Sequence, residues 1–77
     1  MEGLEEESFI NLVNFYSKEL VEIMANGGSE DLSRNELKKL SRKNVVFWDY
    51  GELKWFLTAK ARNTLLSILN QDVSTYF

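Results

Sequence analysis

An α+β fold, with helices packed around one two-stranded antiparallel hairpin in the order αα-ββ-α, is predicted for this chain by three observations. Apolar residues recur at three- and four-residue spacing through 9–24 and again through 61–69. A Ser-x-x-Glu signature opens a short basic segment at Ser33. Two runs rich in β-branched and aromatic residues, 45–49 and 52–57, meet around Asp49-Tyr50-Gly51. Seventy-seven residues make one small domain, 1–77. A chain of this size buries only about 60–65% of its unfolded surface, so its core is limited. A hydrophobic content of 44% without proline places it among globular chains, not disordered ones.

Residues 1–7 are expected to be flexible or to form a first helical turn, where Glu5, Glu6 and Glu7 would favour the positive end of the helix. From Phe9 the stripe 9, 12, 13, 16, 20, 23 and 24 predicts one long helix. Ile10, Phe15 and Val21 lie off the stripe, so this helix is apolar on more than one side, which would suit a homodimer. Gly27-Gly28 ends it, with one glycine free to adopt the left-handed cap. Ser33 and Glu36 then form a capping box, and Leu32 with Leu37 a hydrophobic staple, starting a second helix over about 34–42. Leu37 and Leu40 share its inner side. A three-residue loop Asp49-Tyr50-Gly51 predicts a register with Val45, Phe47, Leu53, Trp55 and Leu57 on one face. Val46, Trp48, Glu52, Lys54 and Phe56 take the other. Thr58 can cap a third helix with Ala61, Leu65, Ile68 and Leu69 toward the core, fading near Asn70. Residues 71–77 are expected to be flexible, with Tyr76-Phe77 able to dock on the body or a partner.

Charge is distributed unevenly. Residues 1–33 hold eight acids and one base, while 34–62 hold eight bases and three acids. The net charge of −3 therefore hides a positive module, a pattern that points to a polyanion or a charged partner. There is no cysteine or histidine, which excludes disulfides, thiolate nucleophiles, Cys/His zinc sites and imidazole acid–base chemistry. Ser and Thr have no histidine to activate them, and Glu5–Glu7 are adjacent and solvated, not a paired-carboxylate site. Gly27-Gly28 lacks the spacing and lysine of a phosphate loop. No catalytic residue, metal ligand, cofactor or small-molecule substrate is expected. The acidic start has no basic n-region or apolar h-region, and the longest apolar run, Val45–Trp48, is too short to span a bilayer. An intracellular chain, cytoplasmic or nucleoid/nuclear, is expected, and the absence of cysteine fits a reducing interior.

The segment Leu40-Ser41-Arg42-Lys43-Asn44-Val45-Val46, the turn Tyr50-Gly51-Glu52, and Trp55-Phe56-Leu57-Thr58-Ala59-Lys60-Ala61-Arg62 resemble the second half of a winged-helix domain, about 30 of 77 residues. That family follows a recognition helix with a hairpin wing and often another helix. It normally has three helices before the wing, where this sequence predicts two. Either the first helix breaks into two pieces or the likeness is confined to the second half. Ala61 also stands where the family often has glycine. The resemblance implies a recognition-helix role for Arg34, Asn35, Lys38, Lys39 and Arg42, and a wing-tip role for Tyr50 and Lys54. Leu32–Leu40 is similar to the exit helix of an S100-type EF-hand as well, but no run of oxygen ligands forms a calcium loop.

Two functions follow as expectations. The first is a non-enzymatic, nucleic-acid-associated protein that binds DNA through the basic helix and the wing. Arg34, Lys38, Lys39, Arg42 and Lys43 would neutralise phosphates, Arg34 and Asn35 would approach base edges, and Tyr50 and Lys54 would flank. Against it stands the default reading, in which these cations only solvate an amphipathic helix. The second is a small accessory subunit that docks on a larger complex through Trp48, Phe56, Tyr76 and Phe77. The alternatives at the hairpin are a core closed on both sides, and stacking of Tyr50 or Trp48 on unpaired bases.

Overall fold

The computed structural model describes the backbone of residues 2–74 and the side chains of residues 7–70. Its elements run α1 (Glu2–Phe15), α2 (Ser17–Asn26), α3 (Arg34–Arg42), β1 (Val46–Asp49), β2 (Lys54–Leu57) and α4 (Ala59–Ser74). The fold is a small α+β domain: four helices and one antiparallel two-stranded sheet.

The single first helix expected from the sequence is two helices joined at Tyr16. Its backbone leaves the helical region at φ −100° and ψ 18°. The ring is buried, and the hydroxyl donates to Glu36 Oε2 of α3 at 3.2 Å. No proline or glycine marks the break; a tertiary tie sits there instead. The resulting helix–helix–helix–hairpin–helix order is compatible with winged-helix topology. Helix also begins at Glu2, within the stretch expected to be flexible.

At the end of α2, Gly27 takes φ 80° and its N–H bonds to the Ile23 carbonyl at 2.7 Å. The same residue's carbonyl accepts from Trp55 N–H at 2.8 Å, so β2 lies against this corner. A Cβ at Gly27 would sit 2.8 Å from the Lys54 side chain. Glycine is thus required twice here, for its conformation and for the close approach.

α3 forms where the capping box places it. Ser33 Oγ accepts from Glu36 N–H at 3.1 Å, and Glu36 Oε1 accepts from Ser33 N–H at 3.0 Å. The helix closes in a Schellman arrangement: Asn44 adopts φ 62°, and Val45 N–H reaches back to the Leu40 carbonyl at 2.9 Å. Both Leu40 and Val45 are fully buried, which supplies the apolar contact of that motif.

The hairpin exists as expected but its register differs. Val46 pairs with Leu57, Phe47 with Phe56, Trp48 with Trp55, and Asp49 with Lys54. The loop therefore has four residues, not three. Asp49 Oδ1 accepts from the N–H groups of Gly51 (2.7 Å) and Glu52 (3.1 Å), and Leu53, not Gly51, takes the left-handed conformation at φ 55°. The slip is odd, so β1 is turned over relative to the expected faces. Val46, Trp48, Trp55 and Leu57 share the inner face, while Phe47 and Phe56 share the outer one.

Thr58 caps α4, its Oγ1 accepting from Ala61 N–H at 3.1 Å. Helix α4 continues past Asn70 to Ser74. The core runs from Phe9, Val13 and Tyr16 through Leu20, Ile23 and Leu32 to Leu40, Val45, Val46, Leu57, Ala61 and Leu65. Ile68 and Leu69 pack beside it, half-buried, as the α4 spacing predicts. No helix among the described residues is long and apolar enough to cross a membrane.

Candidate nucleic-acid interface

Helix α3 spends its inner side on Leu40 and, partly, Leu37. Arg34, Asn35, Lys38, Lys39, Arg42 and Lys43 are all exposed. At 100° per residue, Arg34, Asn35, Lys38 and Arg42 spread over the side away from Leu40, and Lys39 and Lys43 flank it. Arg34, Lys38, Arg42 and Lys43 have no carboxylate in ion-pairing contact among the described residues. Glu36, the one acid on α3, is committed elsewhere. Its carboxylate is held below the usual range chiefly by the Ser33 backbone N–H, then by the Ser33 and Tyr16 hydroxyls, with Lys39 nearby adding attraction. Tyr16 is pushed the other way, upward, by burial first and by the Glu36 charge second.

The last turn of α3 is brought to the first turn of α4 by one residue, through its side chain and its backbone. Thr58 Oγ1 donates to the Asn44 carbonyl at 2.7 Å, and Thr58 N–H bonds to the Val45 carbonyl at 3.0 Å. This corner makes one open groove of about 570 Å³, lined by Lys39, Arg42, Lys43 and Asn44 on one wall, Lys60 on another and Ser8, Phe9 and Leu12 of α1 beneath. The ammonium of Lys60 lies 4.5 Å from the centre of the Phe9 ring. Four cations thus line a groove whose other described lining residues are uncharged.

The expected wing residues do not join this cluster. Lys54 lies against Gly27 and lines a different hollow, with Glu22, Glu30 and Asp31. Tyr50 projects from the hairpin tip, 84% exposed, edge-on to Trp48 at 6.4 Å.

The aromatic residues also divide. Trp48 and Phe56, expected on one face, are on opposite faces because of the register. Trp48 packs edge-on against Trp55 at 5.4 Å on the inner face. Phe56 stacks with Phe47 on the outer face, ring centres 5.9 Å apart and planes 25° apart, and both rings are exposed. The hairpin is therefore not sealed on both sides by helices. Tyr76 and Phe77 lie outside the described residues. Lys60 and Phe47 were not singled out by sequence reasoning. A flipped register, read from Asp49 as the turn-former, would have found Phe47; Lys60 carries no local signal.

Among the described residues no cluster of three or more acids could hold a metal ion. No family model, curated protein or solved structure matches this chain.

Proposed function

We propose that the protein is a non-enzymatic nucleic-acid-associated module of winged-helix type, binding DNA through α3. The observation that carries this reading is the exposed row Arg34, Lys38, Lys39, Arg42 and Lys43, of which four have no carboxylate partner among the described residues. Unpaired surface cations on one short helix gain most when they replace counterions along a polyanion. Arg34 and Asn35, in the first turn, have the side chains suited to guanine and adenine edges. Three helices before the hairpin, an order compatible with winged-helix topology, support the reading.

The test is fluorescence anisotropy with a labelled duplex at low and moderate salt. Affinity is expected to fall steeply with salt, and the triple variant Lys38→Ala/Lys39→Ala/Arg42→Ala, with its circular dichroism unchanged, is expected to lose binding. Equal affinity in that variant would falsify the placement of the site on α3.

The outer sheet face favours a second reading. Phe47 and Phe56 form an exposed stacked pair, the kind of apolar patch that serves a protein partner. An accessory-subunit role through this pair predicts salt-tolerant association with that partner, abolished by Phe47→Ala/Phe56→Ala and untouched by the α3 triple variant.

A further inference from the structure

We infer that the outer face of the hairpin and the hollow beside it dock a segment of a partner protein in which lysine or arginine stands among apolar residues. This rests on the accessory-subunit reading above and deepens it by naming the chemistry of the partner. It does not depend on the α3 reading. Three large apolar side chains meet water on this side of the molecule. Phe47 and Phe56 stack across the strands with both rings exposed, and Leu53, at the end of the loop, is 69% exposed. None of the three belongs to the core. Aromatic and apolar groups held open in this way are the usual anchors of a protein contact.

The charge bordering this patch decides the occupant. Strand alternation puts Lys54 on the same face as Phe56, one step nearer the loop. Lys54 and Leu53 line an open hollow of about 810 Å³ together with Glu22, Glu30 and Asp31. One oxygen of Glu22 accepts from Ser29 Oγ at 2.6 Å. Glu30 and Asp31 are exposed, and no described residue pairs with either carboxylate. Three carboxylates against one ammonium repel nucleic acid and an anionic lipid surface. Helix α3 of a second copy carries the right charge, but its exposed residues are all polar and leave Leu53 and the phenylalanine pair uncovered. A segment with both cations and apolar side chains satisfies both parts of the surface. Its apolar residues cover Leu53, Phe47 and Phe56 and keep the association salt-tolerant. Its cations meet Glu30 and Asp31 and set which sequences bind.

The experiment is an NMR titration of the full chain with three short synthetic peptides of equal length, made of lysine and leucine, lysine and serine, or glutamate and leucine. The lysine–leucine peptide is expected to shift the amides of Gly28, Asp31, Leu53 and Phe56. It should bind about tenfold more tightly than the lysine–serine peptide, because only it covers apolar surface. The glutamate–leucine peptide is expected to bind least. Leu53 has φ 55°, a conformation asparagine tolerates, so Leu53→Asn is expected to keep the fold and to cut lysine–leucine affinity about tenfold. Glu30→Gln/Asp31→Asn is expected to remove the preference for lysine–leucine over glutamate–leucine. Equal affinity for the two lysine peptides, or unchanged affinity in folded Leu53→Asn, overturns the inference. A glutamate–leucine peptide that binds as tightly, and is lost in Phe47→Ala/Phe56→Ala, overturns the cationic partner and leaves the accessory-subunit reading standing. Failure of all three peptides to bind overturns the inference. So does a dimer in sedimentation that Leu53→Asn dissociates, since the face then belongs to a second copy.

Discussion

Replacing Thr58 by valine tests how the fold assembles the groove. Valine keeps the branched shape and removes only the hydroxyl. That hydroxyl accepts from Ala61 N–H at 3.1 Å, capping α4, and donates to the Asn44 carbonyl at 2.7 Å, tying α4 to the end of α3. Loss of an N-cap costs about 1 kcal/mol. Loss of the second bond adds about 0.5–1 kcal/mol, toward the low end because the Asn44 carbonyl is exposed and water can replace the hydroxyl. The sum is about 1.5–2 kcal/mol. For a domain of this length each kcal/mol lowers Tm by about 4–8 °C, so a drop of roughly 6–15 °C is expected. Urea denaturation and calorimetry measure it, and Thr58→Ser, which keeps the hydroxyl, should stay within about 0.5 kcal/mol of the parent. In Thr58→Val the amide shifts of Lys43 and Lys60 should also move, because the corner that aligns them is loosened. A Tm loss below about 3 °C with those shifts unmoved would refute the idea that this hydroxyl organises the groove.

Other outcomes follow from the same contacts. Gly27→Ala meets both a left-handed backbone and the Lys54 side chain at 2.8 Å, and is expected to cost more than about 1 kcal/mol by chemical denaturation. Leu40→Ala empties a fully buried position between α3 and the hairpin, with an expected loss of about 2–5 kcal/mol. Because Glu36 titrates lower in the folded chain than unfolded, its contribution is present above the ordinary carboxylate range and is lost as pH falls through its folded pKa. The urea midpoint of the parent should therefore drop further on acidification than that of Glu36→Gln; parallel drops would show the capping box is not what acid disrupts. Tyr16, raised by burial, contributes below its unfolded pKa and loses this at alkaline pH, so Tyr16→Phe should flatten the loss of stability above about pH 10.

The sequence was most legible where local chemistry decides. Ser33 and Glu36 satisfy each other's backbone donors within four residues, and α3 begins and ends where that pattern and the spacing of Leu37 and Leu40 place it. The hairpin strands were legible from composition, but not their register. Steric preference assigns the left-handed position to Gly51, whereas Asp49 captures two backbone donors and passes the positive φ to Leu53. One side chain's hydrogen bonds thus outweighed a backbone preference, and the aromatic face changed with it. The break at Tyr16 was illegible because its tie, Glu36, lies twenty residues away. Lys60 was overlooked for the same reason: its place beside Lys43 depends on Thr58 reaching Asn44.

The central claim is that the cations of α3 meet phosphates, and the salt dependence of duplex binding between about 50 and 200 mM measures this directly. With four to six contacts the slope of log K against log salt should be roughly −4 to −5. A slope near zero, or no binding at the lower salt, would contradict it.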